Sequence, residues 1–157
     1  MSVQPKPGFG PASKARLRLW LRLLKVNRTI EAELRVRLRV EFDTTLPRFD
    51  VMSALFRSPE GLKMSALSRQ LMVSNGNVTG IVERLTTDGL VLREAVPGDR
   101  RAARVTLTRK GTAEFSRQAK AHEGWVSALL GGLDADDSAL TGDLLRAALP
   151  KGEPDAR

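Results

Sequence analysis

The chain has 157 residues, enough for one domain with a hydrophobic core of its own. It carries 26 Lys and Arg against 18 Asp and Glu, and this net charge of +8 suits a polyanionic partner such as nucleic acid. The absence of cysteine excludes disulfides and thiolate metal sites, while a single histidine and no tyrosine argue against histidine metal sites and Ser-His-Asp chemistry. We therefore expect a protein that is not an enzyme and needs no cofactor.

A long helix is predicted after a short irregular segment. Residues 1–12 are rich in Pro and Gly and lack periodicity, which predicts a mobile arm. From Ser13, a candidate N-cap, to Phe42 there is no Gly or Pro, which predicts a helix over residues 13–42. Arginines interrupt the apolar run 17–24, which excludes a membrane span. The residues that approximate a heptad seam are Leu17, Leu21, Leu24, Glu31, Leu34 and Leu38.

Residues 34–42 also allow another interpretation, because apolar and charged residues alternate there with period 2, as in a strand. We favour a helix because no second strand lies nearby in the sequence and because of the family resemblance described below. In a helix, Leu34 and Leu38 point one way while Val36 and Val40 point roughly the other way. One face then needs cover from the same chain and the other from a partner.

Residues 47–92 have the pattern of a helix-turn-helix preceded by a short helix from Pro47 to Phe56. The last helix of this segment has one apolar stripe, made of Val78, Ile81, Val82 and Leu85, and Ser74 is a good N-cap for it. Its other face is free, and its first turn presents N–H groups suited to phosphate oxygens. The residues assigned to DNA on this helix are Ser74, Asn75, Asn77, Thr79 and Arg84. The alternative is an ordinary helical hairpin within a core.

A two-stranded hairpin is predicted next, from the runs LVLREAV and ARVTL on either side of PGDRR. Asp99, Arg100 and Arg101 are placed at its tip, and the hairpin is interpreted as a wing. Arg100 is assigned to the minor groove or to phosphates, while Asp99 holds the turn and pairs with an arginine.

Two helices are predicted after the wing. Thr108 caps the first, which runs to about Leu130, and Gly131 with Gly132 ends it. Its apolar stripe consists of Phe115, Ala119, His122, Val126 and Leu129. The second begins at Asp134 and Asp137, carries Leu140, Leu144 and Leu149, and stops at Pro150, leaving residues 151–157 as a frayed tail.

The run from Ser65 through DGLVLRE and PGDRRAARVTLTRKG resembles the MarR family of bacterial transcriptional regulators. The resemblance implies a single domain over residues 13–150: a mainly α fold with a small β-hairpin wing (α+β). Residues 47–107 would form a winged helix-turn-helix lobe, and residues 13–42 and 109–149 would intertwine in a homodimer. Such a dimer would be a cytoplasmic repressor, nucleoid-associated while bound to a pseudo-palindromic, double-stranded operator.

The resemblance also implies an effector pocket between the dimer helices and the DNA-binding lobe, of a kind that often takes aromatic acids. Each candidate wall could instead be a core residue; they are Trp20, Leu24, Phe49, Met52, Met72, His122 and Trp125. The segments TLPRFDVMSAL, MVSNGNVTGIVERL and HEGW resemble a subgroup that regulates degradation of lignin-derived aromatic acids and senses hydroxycinnamoyl-CoA thioesters.

Four arginines are candidates for the phosphates of such a thioester: Arg28, Arg35, Arg37 and Arg39. Arg35 and Arg39 share a helix face, whereas Arg37 lies about 200° away from Arg35. The alternatives are a solvated helix face, a contact with operator phosphates, or a sensor of a free aromatic acid. A reading of another class is a basic membrane-surface or partner-binding helical protein without specific DNA recognition.

Overall fold

The computed structural model describes residues 10–148, so the predicted arm up to residue 9, the tail 151–157 and Leu149 lie outside the described residues. Within 10–148 the elements are α1 (Pro11–Phe42), α2 (Leu46–Phe56), β1 (Leu62–Lys63), α3 (Met64–Leu71), α4 (Asn75–Thr87), β2 (Val91–Val96), β3 (Asp99–Leu107), α5 (Arg109–Leu129) and α6 (Ala135–Ala148). The mainly helical fold with a small antiparallel sheet is confirmed.

Helix α1 contains the whole segment that alternates with period 2, so the helical interpretation is confirmed. Leu34 and Leu38 are buried, whereas Val36 and Val40 on the other face are exposed. The helix begins at Pro11, ahead of the predicted Ser13, because a proline in the first turn loses no hydrogen bond there. Ser13 is therefore not the N-cap. The helix ends at Asp43, whose left-handed backbone (φ 48°) turns the chain towards α2.

The sheet has three strands rather than the predicted two, in the order β1-β3-β2. Leu62 of β1 pairs with Val105 and Lys63 pairs with Arg104, both antiparallel. Two residues are too few to show an alternation in the sequence, so this strand was missed. Gly61 permits the close approach: its φ is 85°, and a Cβ there would lie 2.6 Å from Thr106 Cγ2.

The core lies where α1, α2 and α5 meet the winged segment. Its fully buried side chains include Leu38 and Met52 on the first two helices, Val82 and Leu85 on α4, and Val105 on β3. Aromatic rings extend it to α5, since Phe115 lies 5.3 Å from Phe49 and 5.0 Å from Phe56 between ring centroids. This packing holds α4 against the rest of the chain by its apolar stripe.

The two ends of the described chain have no such cover. Helix α6 buries no residue, and its Leu144 side chain is 63% exposed. The N-terminal half of α1 is also exposed, as its Leu17 side chain shows at 57% exposure. The N-terminal part of the predicted leucine seam, Leu17 and Leu21, is therefore exposed within residues 10–148, whereas Leu34 and Leu38 of the same seam lie in the core.

Candidate nucleic-acid interface

Helix α4 has the predicted N-cap and the predicted buried stripe. The Asn77 N–H donates to Ser74 Oγ at 3.3 Å, so Ser74 caps the helix and Asn75 begins it. Of the predicted stripe, Val78, Val82 and Leu85 are fully buried and Ile81 is half-buried. The first turn is exposed at Asn75, Gly76 and Asn77, although the Asn77 N–H is taken by the cap.

The exposed face of α4 carries two glycines. A Cβ on Gly76 or Gly80 would meet nothing within 4 Å, so both glycines border open space. On one side of them Thr79 donates its hydroxyl to the Asn75 carbonyl at 2.8 Å. On the other side Arg84 is exposed. The open space beside both glycines is the second cavity described below.

A groove of about 390 Å³ separates α4 from the wing. Asn75 and Thr79 line it, and so does Asp99. Three further polar lining residues were not predicted from the sequence: Lys63, Ser65 and Arg93. Lys63 comes from the missed strand β1, which explains why it was overlooked. Lys63 and Arg93 add two cations beside the exposed end of α4, as a phosphate backbone requires.

The wing turns earlier than predicted. Its two-residue turn is Pro97–Gly98, where Gly98 has a φ of 81°, and Val96 pairs with Asp99 across it. Ala95 then pairs with Ala103, so residues 100–102 form a bulge of β3 with no counterpart on β2. The predicted tip residues therefore follow the turn, although the side chains of Arg100 and Arg101 lie outside the described residues.

The C-terminal end of α4 is fixed by two neighbouring helices. The Arg48 guanidinium of α2 pairs with the carboxylate of Asp88, the C-cap of α4. Lys110 Nζ donates to the Asp88 carbonyl at 2.9 Å, and Thr108 Oγ1 donates to the Gly89 carbonyl at 2.7 Å. The orientation of α4 is therefore coupled to α2 and α5.

A second cavity, of about 490 Å³, lies between α4 and the start of α2. Its lining residues are Arg35, Thr45, Pro47, Arg48, Val73, Gly76, Asn77, Gly80, Ile81 and Arg84. Three of them are arginines and none is acidic, while Pro47, Val73 and Ile81 are apolar. The cavity, called the arginine cavity below, thus suits a small anion with an apolar body.

The structure does not bring the predicted effector residues together in one cavity, and four of them pack in or beside the core. Phe49 stacks on His122 with centroids 4.6 Å apart, and burial lowers the pKa of His122, which favours neutral imidazole. Met52 is fully buried in the core, and Trp125 is buried with its ring 6.1 Å from that of Phe42. None of these four lines the arginine cavity.

The other candidates lie apart from these rings. Trp20 and Arg28 are exposed on α1. Met72 is 92% exposed in the turn between α3 and α4. Arg37 is occupied by Glu33, 2.7 Å away, and lies over the Trp125 ring at 5.9 Å.

Arg35 and Arg39 share one face, as predicted. Both line a further cavity of about 340 Å³ at the start of α2, and Arg35 also lines the arginine cavity. Of the four predicted phosphate-binding arginines, Arg35 is thus the one placed against α4.

Known proteins share this arrangement. A model of the MarR family matches residues 42–102. The MarR family transcriptional regulator of Silicibacter pomeroyi is 32% identical, with 88% of this chain and 96% of that one covered at a TM-score of 0.74. The chain belongs to the MarR family. A mutant of MarR from E. coli, solved in complex with operator DNA, is 27% identical over 87% of this chain and 96% of its own, with a TM-score of 0.73.

Among curated relatives, the HTH-type transcriptional regulator PecS of Dickeya dadantii is 32% identical over 76 residues, covering 47% of this chain and 46% of PecS. The chain spans about half the length of the curated relatives it matches. Members of the MarR family are transcription regulators, which supports the prediction that the chain is not an enzyme. Among residues 10–148, no helix combines the length and apolarity needed to cross a membrane.

Proposed function

We propose that this MarR-family protein is a homodimeric, cytoplasmic repressor that reads an inverted-repeat operator with α4 and is released from it by an aromatic anion. The observation that carries the proposal is the capped α4 itself. Its inner stripe is buried, its N-terminal turn is exposed, and a groove lined by two cations and one carboxylate separates it from the wing. These are the parts that a winged helix-turn-helix needs for a major groove and its flanking phosphates.

A second copy would cover the bare terminal helices. The exposed leucines of α1 and α6 form long apolar stripes that a soluble monomer rarely shows. Two-fold symmetry would bury the same stripes on both copies and set two α4 helices about 34 Å apart, one turn of B-DNA. An inverted repeat is the operator that such symmetry reads.

Within each half-site, residues on α4 would contact bases and residues beside the wing would contact phosphates. Asn77 and Thr79 flank the glycine-bordered face and would reach base edges, since amide and hydroxyl groups suit base recognition. Lys63 and Arg93 would hold phosphates beside the wing, and Arg100 with Arg101 would extend that contact to the minor groove.

Replacing Asn77 by alanine should cost about 1–3 kcal/mol of binding on the specific operator and little on random DNA, because a base contact carries sequence information. The measurement is fluorescence anisotropy with both duplexes at one salt concentration. Asn27→Ala, at an exposed asparagine on α1, is the matched control and should change neither affinity. An equal loss on both duplexes for Asn77→Ala would refute base reading.

The effector is proposed to bind in the arginine cavity. A carboxylate would be held by Arg35, Arg48 and Arg84 while the ring lies against Pro47 and Ile81. Because Asn77 and Gly80 of α4 line the same cavity, a bound ligand would favour a different orientation of α4. Repression would be relieved through this coupling.

The finer proposal is that the effector is an aromatic acyl-CoA such as a hydroxycinnamoyl-CoA, and that the regulated genes serve aromatic catabolism. Arg35 and Arg39 line an adjoining surface where the phosphates of CoA could lie while the acyl group occupies the arginine cavity. The anionic tail would then oppose the duplex near α4 by charge and bulk. A sensor of a free aromatic acid is the alternative, because the arginine cavity alone could hold a carboxylate.

Arg35→Ala should weaken the thioester's ability to release DNA by about tenfold or more, with operator affinity nearly intact in its absence. Arg37→Ala is the matched control two residues away, since Arg37 is occupied by Glu33 and Trp125. The measurement is operator release against concentration, for p-coumaroyl-CoA and for free p-coumarate. Equal release by acid and thioester would replace the CoA proposal by the aromatic-acid alternative, and an equal response of both variants would remove Arg35 from the site.

A further inference from the structure

Two glycines of α4, Gly76 and Gly80, line the arginine cavity one helical turn apart. Neither has a left-handed backbone, and a Cβ at either position would meet nothing within 4 Å among residues 10–148. Neither turn geometry nor close packing within the described chain therefore requires glycine at these two positions. The open space that their side chains would enter is the arginine cavity itself.

Gly80 weakens the helix on which it lies. Glycine in the middle of a helix is less stable than alanine, because it loses more backbone freedom on folding. No packing contact of the described residues offsets this loss, since a methyl group would fit at position 80. What glycine provides there is room beside the helix backbone, and that room belongs to a cavity with three arginines.

The lining residues of α4 give the arginine cavity a direction. Arg84, Gly80 and Gly76 follow one another at four-residue steps, about 6 Å apart along the helix axis. Helical side chains lean towards the N-terminus, so the Arg84 side chain extends over the turn that contains Gly80. Val73, an apolar lining residue just ahead of α4, lies beyond Gly76 at the opposite end. Along α4, the cavity therefore runs from a cationic end past both glycines to an apolar end.

We propose that Gly80 and Gly76 determine which effectors the arginine cavity accepts, an inference that rests on the proposed function. The carboxylate or thioester end of the ligand lies over Gly80, within reach of Arg84, and the ring extends along the exposed backbone to Gly76. Every such ligand needs the space at Gly80, whereas only a longer one needs the space at Gly76. The class selected is an aromatic ring separated from its acyl carbon by a short chain, rather than a ring attached directly to it.

Calorimetry of the full-length protein without DNA tests the two glycines separately, with probes of two lengths. The short probes are benzoate and benzoyl-CoA, and the long probes are p-coumarate and p-coumaroyl-CoA. Gly80→Leu should weaken binding of both lengths by at least about tenfold, because its side chain fills the space over which the acyl end lies. Gly76→Leu should weaken the long probe by at least about tenfold and the short probe by less than about threefold.

Thr87→Leu is the matched control, because it adds the same side chain to α4 at an exposed position outside the arginine cavity. It should bind every probe as the wild type does. Gly80→Ala adds a single methyl group in open space, so it should fold even if leucine prevents folding, and it should show a smaller loss for both lengths.

Two results would overturn this inference alone. One is equal ligand affinity of the wild type and the Gly80 variants, and a weaker operator affinity in that case would assign the glycine to DNA instead. The other is an equal loss of both probe lengths in Gly76→Leu. If the wild type bound none of the four probes, the proposed effector would fall together with this inference.

Discussion

Gly111→Ala is expected to destabilise the protein by about 1–3 kcal/mol or more, because the new methyl group has no room. A Cβ on Gly111 would lie 1.9 Å from the Leu90 carbonyl oxygen and 2.8 Å from its carbon. That carbonyl cannot move away freely, since it accepts a hydrogen bond from the Thr108 N–H at 3.0 Å. The first turn of α5 would have to separate from the chain entering β2. The hydrogen bonds from Thr108 and Lys110 to the carbonyls of Gly89 and Asp88, at the end of α4, would then be disturbed as well.

Gly124→Ala is the matched control on the same helix. A Cβ there meets nothing within 4 Å, so alanine should stabilise the protein by about 0.5–1 kcal/mol through its better helix propensity. Urea unfolding of both variants measures the contrast. Similar stability changes of the same sign would show that α5 does not approach Leu90 so closely.

Leu17→Asp and Leu144→Asp are each expected to abolish the dimer and operator binding together. Both side chains are exposed in the single chain, so neither fills its own subunit's core. In a two-fold interface each substitution occurs twice, and each buried leucine contributes about 1.5–3 kcal/mol. A doubled loss of that size weakens dimerisation by about two to four orders of magnitude.

Analytical ultracentrifugation over a range of protein concentrations measures the oligomeric state, and anisotropy measures operator binding. Met72→Asp is the control, because Met72 is exposed in the turn between α3 and α4, outside both terminal helices, and aspartate tolerates its left-handed backbone (φ 52°). This control should remain dimeric. A folded monomer of Leu17→Asp or Leu144→Asp that still binds the operator would contradict the dimeric architecture.

Local signals in the sequence were sufficient to predict α4. An N-cap and an apolar stripe are set by residues within three or four positions of each other, as Ser74 and Asn77 show. For residues 34–42 of α1 the local signals were not sufficient. Their period-2 alternation fits a strand as well as a helix, because it does not show which residues are buried. Packing of Leu34 and Leu38 into the core settles it as helix.

The features that the sequence did not predict depend on residues far apart in the chain. Arg48 and Asp88 pair across 40 positions, and the arginine cavity combines Arg35 and Arg84 from two further elements. Strand β1 exists because β3 offers it an edge, and the wing bulge depends on the register between β2 and β3. Periodicity carries no information about such pairings, so the sequence did not predict the arginine cavity.

Footprinting of the dimer on the DNA upstream of its own gene tests the central proposal most directly. The account predicts protection of an inverted repeat whose half-sites are centred about 10 base pairs apart, with much weaker binding to random duplex of the same length. Equal affinity for both duplexes, or protection of a single half-site by a monomer, would contradict it.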